Sequence, residues 1–241
     1  MRNSLTRTPS VFMFGALLAG SVCVSACGAD REPSASAASP QANASVPKTG
    51  RLLSTSELRA LTLREGEVPQ AYEGAIPVRD RKPETGRSTF PPVSDPACEQ
   101  VLDVADADGA PSVVDQTFNW KDNIFPGGST LASYNGAEAQ TAFSRLGEGL
   151  KACRTFTGTG YTGKYRSELA VEGSPRVGDE AVRYSLTSPM NDGSVRHDDH
   201  VVVRVGSVIA AFTAMEIDKH TAFPPDLIAK QVERLRNAQR P

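Results

Sequence analysis

VRHDDHVVVRVGSVIAAFTAM, residues 195–215, reads as two β-strands turning at Val205-Gly206-Ser207. β-Branched and aromatic side chains fill both flanks, and the Gly-Ser step between them is a turn signal. Asn191-Asp192-Gly193 makes a second turn, into the first of these strands. Upstream, Val182, Tyr184 and Leu186 recur with period two, as do Tyr165, Ser167, Leu169 and Val171. Val114, Gln116, Phe118 and Trp120 alternate with Val113, Asp115, Thr117 and Asn119 in the same way. Hairpins in series imply an antiparallel β-sheet with helices packed on one face, an α+β class in a single domain.

The helices announce themselves by caps and stripes. Ser54 with Glu57 three residues on is a capping box, and Leu53 and Leu58 occupy its staple positions. Leu58, Leu61 and Leu63 give this helix an apolar side, and Gly66 with Pro69 ends it. A second helix starts at Asp95-Pro96 and carries Cys98, Val101, Leu102 and Ala105 on one face. A third is expected from Asn135, with Glu138 as capping partner and Ala139, Ala142, Phe143, Leu146, Leu150 and Cys153 on its stripe. The last, capped near Pro225 and Asp226, buries Ile228, Val232 and Leu235. Arg79 to Pro92 has no period and reads as a long loop.

The N-terminus carries an address. Arg2 and Arg7 precede an apolar run from Val11 to Val24, and Val24-Ser25-Ala26-Cys27 closes it as a lipobox. The run is about 14 residues, short of the roughly 20 that a spanning helix needs. A plain secretory signal with a coincidental cysteine is the competing reading. The match at all three residues before Cys27 favours lipidation of that sulfur and cleavage before it. The expected organisation is a signal peptide over residues 1–26, a Ser/Ala/Pro tether over 27–50 and a domain over 51–241. The tether holds no aromatic residue, and Val46 is its only apolar side chain larger than Ala, so it cannot offset its ordering entropy. The mature chain is thereby expected on the extracytoplasmic face of the cell membrane, held by acyl chains.

Loss of Arg2 and Arg7 with the signal takes the formal net charge from −2 to −4. Nucleic acid, which needs clustered Lys and Arg, is excluded as the main partner. With Cys23 removed and Cys27 lipidated, Cys98 and Cys153 remain as an even pair, which in an oxidising compartment most often forms a disulfide. Such a bridge is worth about 4 kcal/mol on the chain-entropy model. The alternative, a metal site, would want further Cys or His at ligand spacing, and nothing nearby supplies them.

Chemistry-bearing motifs are sparse. Gly158-Thr159-Gly160-Tyr161-Thr162-Gly163 has the letters of a dinucleotide fingerprint but follows a helix and precedes a strand, the reverse of the order that works. It reads as a flexible connection, and no cofactor is expected. In Arg196-His197-Asp198-Asp199-His200 a strand would send His197 and Asp199 one way and Asp198 and His200 the other. A two-histidine, one-carboxylate site would then need a ligand from elsewhere, with His220 the sole remaining histidine, so no metal site is assigned. An exposed strand end is the expectation. No Gly-x-Ser-x-Gly elbow occurs, and no catalytic residue is assigned. Trp120, Tyr134, Tyr161 and Tyr165 are candidates to line a cleft, and Arg183 and Arg204, set in apolar strands, are candidates to meet an anionic ligand.

The order of the pieces carries a resemblance. A Leu-Arg-Ala-Leu helix is followed by Val68-Pro69 and Tyr72, then by two cysteine-bearing helices. Gly178-Asp179-Glu180-Ala181 opens a strand, and Val201-Val202-Val203-Arg204-Val205-Gly206 enters the final hairpin. Over roughly residues 52–238 this resembles actinobacterial lipoproteins similar to the extracellular sensor domain of PknH-type serine/threonine kinases. The resemblance implies an α+β domain with a sheet-lined cleft that acts as a ligand sensor. This chain departs from it by one cysteine pair where the kinase sensor has two disulfides, and by a lipobox in place of a kinase domain and membrane helix.

The expected function is therefore that of a surface lipoprotein with a non-enzymatic sensor-like domain, binding a small molecule or a cell-wall component. A secreted hydrolase using His197 or His200, and a structural envelope interaction protein, are the alternatives. Replacing Cys27 by Ala removes the sulfur that carries the lipid. Metabolic labelling with a fatty acid should mark the wild type and not Cys27→Ala, and label retained in the variant would refute the anchor.

Overall fold

The computed structural model describes residues 50–81 and 91–240. The expected signal peptide, Cys27 and the expected tether as far as residue 49 lie outside the described residues. Four helices, α1 (Thr55–Leu61), α2 (Pro96–Ala105), α3 (Glu138–Ala152) and α4 (Pro225–Ala238), accompany eight strands. These are β1 (Val78–Arg81), β2 (Ser112–Phe118), β3 (Gly127–Ser133), β4 (Thr155–Gly160), β5 (Gly163–Val171), β6 (Glu180–Pro189), β7 (Val195–Val205) and β8 (Val208–Ile217). One antiparallel sheet orders them β1-β2-β3-β8-β7-β6-β5-β4. The expected α+β class and antiparallel sheet are what the chain adopts.

The β7–β8 hairpin lies at the centre of that sheet and closes on the Val205–Val208 pair, with Gly206 in the left-handed region at φ 57°. Five consecutive valine-or-arginine positions in β7 leave neither face polar. Val201, Val203 and Val205 join one core with Val208, Ala210 and Phe212, while Val202 joins another with Ile209 and Ala211. The expectation of helices on one face is corrected here. α1 and α4 cover the first face and α2 and α3 the second, because a strand segment with apolar side chains on both faces needs cover on both sides.

Cover is complete only over half the sheet. On β4, β5 and β6 the face toward α2 and α3 is apolar, with Phe156, Leu169, Tyr184 and Leu186 buried. The opposite face shows Thr155, Thr157, Arg166 and Glu168 to solvent, with Arg183, Ser185 and Thr187 partly exposed. Period two returns where one face is wet.

Local chemistry fixes the helices. Ser54 and Glu57 form the capping box, and Leu53 and Leu58 are fully buried. Asp95 caps α2 by accepting from the amides of Ala97 and Cys98. The chain leaving α1 is stitched to the sheet by buried Gln116, whose amide donates to the Leu63 carbonyl and accepts from the Leu63 N–H at 2.8 and 3.1 Å. Gln231 of α4 donates to the Leu61 carbonyl. Buried backbone groups outside a ladder thus find side-chain partners, which spares their desolvation cost.

Three sequence expectations shift. The third helix begins at Glu138 rather than Asn135, although the Asn135 N–H does donate to Glu138. Residues 79–81 of the expected long loop belong to β1 and pair with β2 as an edge strand. The glycine-rich 158–163 stretch is no loose connection but the β4–β5 hairpin, closing at Gly160–Gly163 with Gly163 at φ 106°.

Helices α2 and α3 are locked together by the Cys98–Cys153 disulfide, with Cα atoms 4.8 Å apart. Gly149 permits their close approach: a Cβ there would lie 2.8 Å from the Ala97 carbonyl oxygen and 2.9 Å from a Val101 methyl. Gly147, on the same helix, has nothing within 4 Å of its would-be Cβ. Gly149→Ala should therefore destabilise by about 1–3 kcal/mol through overpacking, whereas Gly147→Ala should stabilise by about 0.5–1 kcal/mol through helix propensity. Paired urea denaturation of the two variants checks the contrast.

Candidate functional site

A cleft of ≈ 510 Å³ opens where the β4–β5 hairpin meets the residues leading into α2 and the β6–β7 connection. That volume lies within the range of small-molecule sites. Ser94, Thr157, Thr159 and Asn191 line it with hydroxyls and an amide, Lys164 and Arg166 with cations, and Tyr165 with a ring. Among the described residues no carboxylate lines it.

Each wall has a structural cause. The Ser94 N–H donates to the Thr157 carbonyl and the Ser94 hydroxyl accepts from the Thr157 N–H, both at 2.9 Å, so the segment before α2 is tied to β4. The Tyr165 ring lies across Gly158, where a Cβ would come within 2.5 Å of the phenol oxygen. It meets Phe156 edge to face at 6.1 Å. Partial burial raises the Tyr165 pKa, so the phenol stays neutral and able to donate. Among the described residues Arg166 is ion-paired with Glu168 alone, at 3.9 Å, which leaves its guanidinium open to an incoming anion.

A second polar group lies on the face of α1 and α4, at the margin of the uncovered half. Arg183 donates to Asp199 at 2.7 Å, and the other oxygen of the buried Asp199 has no hydrogen-bond partner. His197 shares that face, and its ring centroid is 4.4 Å from that of His220. Among the described residues no three His, Cys, Asp or Glu are already grouped to hold a metal ion.

The four ligand candidates from sequence lie apart from the cleft and from one another. Trp120 stacks on Phe118 at 5.3 Å and meets Phe223 edge to face, at the border of the α1/α4 core. Tyr134 is buried in the opposite core, where desolvation pushes its pKa up to about 12. Arg204 is buried, donating to Glu180 at 2.5 Å and to the Gly206 carbonyl at 3.1 Å, with Asp179 at 3.4 Å. It closes the turn end of the central hairpin from inside. Arg183 reaches the margin just described. Tyr165, among the aromatic candidates, does line the cleft, while Tyr161 stands exposed on the hairpin turn.

The expected exposed strand end at 196–200 is not what forms. His200 stacks flat on Tyr184, centroids 4.7 Å apart and planes 4° from parallel, and both of its ring nitrogens are buried without a partner. A base with both nitrogens buried cannot reach a substrate, which removes His200 from the hydrolase alternative. Asp198 is engaged by Arg196 at 2.6 Å.

No protein-family model matches the chain, and no curated protein matches it. Among solved structures, the extracellular domain of PknH from Mycobacterium tuberculosis matches with a TM-score of 0.57 at 18% identity, covering 78% of this chain and 99% of that one. The resemblance carried by the sequence thus extends to the fold. Among the described residues no helix is long and apolar enough to cross a membrane.

Burial lowers the His200 pKa below its ordinary 6.5, against a smaller opposing pull from Asp198 and Asp199. The unfolded imidazole binds its proton first, so His200 costs nothing above about pH 6.5, and stability falls as the pH drops below that value toward the folded pKa. His200→Phe, which keeps a ring against Tyr184, should flatten the loss of melting temperature between pH 7 and pH 5. An unchanged slope would show that His200 is not the group responsible.

Proposed function

We propose that this chain is a membrane-tethered, extracytoplasmic, non-enzymatic binding protein whose sensor-type domain takes an anionic, hydroxyl-bearing ligand in the β4–β5 cleft. The observation that carries this reading is the lining itself, two cations and several hydroxyls with a phenol and, among the described residues, no carboxylate. Lys164 and Arg166 supply the attraction for an anion. Ser94, Thr157, Thr159 and Asn191 supply orienting hydrogen bonds, and Tyr165 offers a ring on which an apolar face of a ligand can rest.

Supporting the compartment are the lipobox at Cys27 and the likeness in fold to an extracellular domain. A bridged cysteine pair fits an oxidising environment. Cell-envelope glycopeptides, which carry carboxylates and sugar hydroxyls together, are the natural class of ligand for such a lining.

Isothermal titration with citrate, inorganic phosphate and soluble muropeptides tests the reading. Binding by at least one of these is expected, weakened tenfold or more in Lys164→Glu/Arg166→Glu. Both side chains are exposed, so the melting temperature of the variant should stay near that of the wild type. No binding at millimolar concentration, or binding indifferent to the charge reversal, would overturn it.

A further inference from the structure

His197 and His220 are brought together by a chain reversal that no local motif announces. β8 ends at Ile217, and Asp218 follows in the left-handed region at φ 57°, an unusual conformation for a residue other than glycine. Two hydrogen bonds clasp it to the start of β7: its N–H donates to the Val195 carbonyl at 2.7 Å, and its carboxylate accepts from the Val195 N–H at 2.8 Å. The chain then returns over β7 and sets the His220 ring against that of His197, tilted by 48°. Phe223, three residues on, is buried against Phe118 and Phe212, so the returning segment is anchored at both ends.

The strand register places two carboxylates on the same face as this pair. In the register of β7 and β8, His197 lies directly opposite Glu216. Side chains so paired stand about 4.5–5.5 Å apart at Cβ. Asp199 follows two positions along β7, on the same face. Its residue is 4% exposed, and the oxygen not bonded to Arg183 is buried without a partner. The Nδ1 atom of His197 is likewise buried and unpartnered. Unsatisfied buried acceptors and donors are rare in proteins, and two on one small patch ask for a missing partner.

We propose that His197, His220 and Glu216 bind a borderline divalent cation, Zn²⁺ being the best fit, with Asp199 as the neighbouring carboxylate that balances its charge. Two imidazoles and one carboxylate with an open fourth position are a ligand set that suits Zn²⁺. Nitrogens bound at 2.0–2.1 Å in a tetrahedron stand about 3.4 Å apart. Rings with centroids 4.4 Å apart reach that spacing by rotation of one of them, and His220, exposed, is free to turn. Glu216, whose Oε1 accepts from the Ile217 N–H at 3.2 Å, must swing toward the pair as the third ligand. The cation would pin the segment between β8 and α4 onto β7.

The full chain, with its free thiols alkylated, is titrated with Zn²⁺ by calorimetry and with Co²⁺ by visible absorbance. One saturable site is expected, with a visible Co²⁺ spectrum and a melting temperature raised by Zn²⁺ and restored by EDTA. His197→Ala and His220→Ala should each weaken binding by about tenfold or more, and Glu216→Gln by a smaller factor. Lys164→Glu/Arg166→Glu should leave it unchanged, so this site and the cleft fail or succeed separately. His220 is exposed, so His220→Ala keeps its fold, and its melting temperature without metal verifies this. The absence of a saturable site up to millimolar Zn²⁺, or an affinity unaltered in His197→Ala/His220→Ala, would overturn the assignment.

Discussion

The rest of the structure answers to a solvation problem at the centre of the sheet. Val201-Val202-Val203 in β7 and Ile209-Ala210-Ala211-Phe212 in β8 put apolar side chains on both faces of adjacent strands. Neither face can stay wet, since burial of each such side chain contributes about 1.5–3 kcal/mol relative to exposure. Two helix pairs of different construction solve the problem. α2 and α3 are joined covalently and pack at close range through Gly149. α1 and α4 are joined instead by buried amides, Gln231 reaching the end of α1 and Gln116 reaching up from β2.

The number of helices is what makes the protein asymmetric. α1 and α4 extend over β1, β2, β3, β8 and part of β7, and no element covers the same face of β4, β5 and β6 among the described residues. That half-sheet is therefore polar outward, and both candidate sites belong to it: the cationic cleft at its outer edge and the histidine pair at its inner margin. Both candidates lie where burial stops. Arg204 illustrates the opposite case, since an arginine in the covered half needs Asp179, Glu180 and a carbonyl to remain charged.

Much of this was legible in the sequence where the signal was local. The capping box at Ser54, the Asp95-Pro96 start of α2 and the turns at Gly206 and Gly193 all depend on residues near one another in the chain, while the Cys98–Cys153 pair, 55 positions apart, was legible by elimination of the other cysteines. β3 was not legible, because Gly127-Gly128-Ser129-Thr130 carries no apolar alternation, and its strand character comes from pairing with β2 and β8. The second helix layer was hinted at by consecutive valines, yet the period-two stretches elsewhere argued for a single covered face. The cleft was invisible for a different reason: Ser94, Thr157, Lys164 and Asn191 are ordinary polar residues that acquire meaning only through the Ser94–Thr157 tie. The meeting of His197 with His220 depends on one left-handed aspartate, and no periodicity encodes that.

Residues 51–53 fix where a pull on the N-terminal side would enter the domain. The Arg51 carbonyl accepts from the hydroxyl of Ser207 at the β7–β8 turn and from the Gln239 amide just past α4. Two residues later the Leu53 N–H donates to Ser133 at the end of β3. Tension arriving through the preceding chain thus enters at the middle of the sheet, where three strands and a helix end share it. It does not arrive at an edge strand that could be unzipped one bond at a time. The β4–β5 cleft lies at the opposite end of the strands, away from these hydrogen bonds and out of the load path.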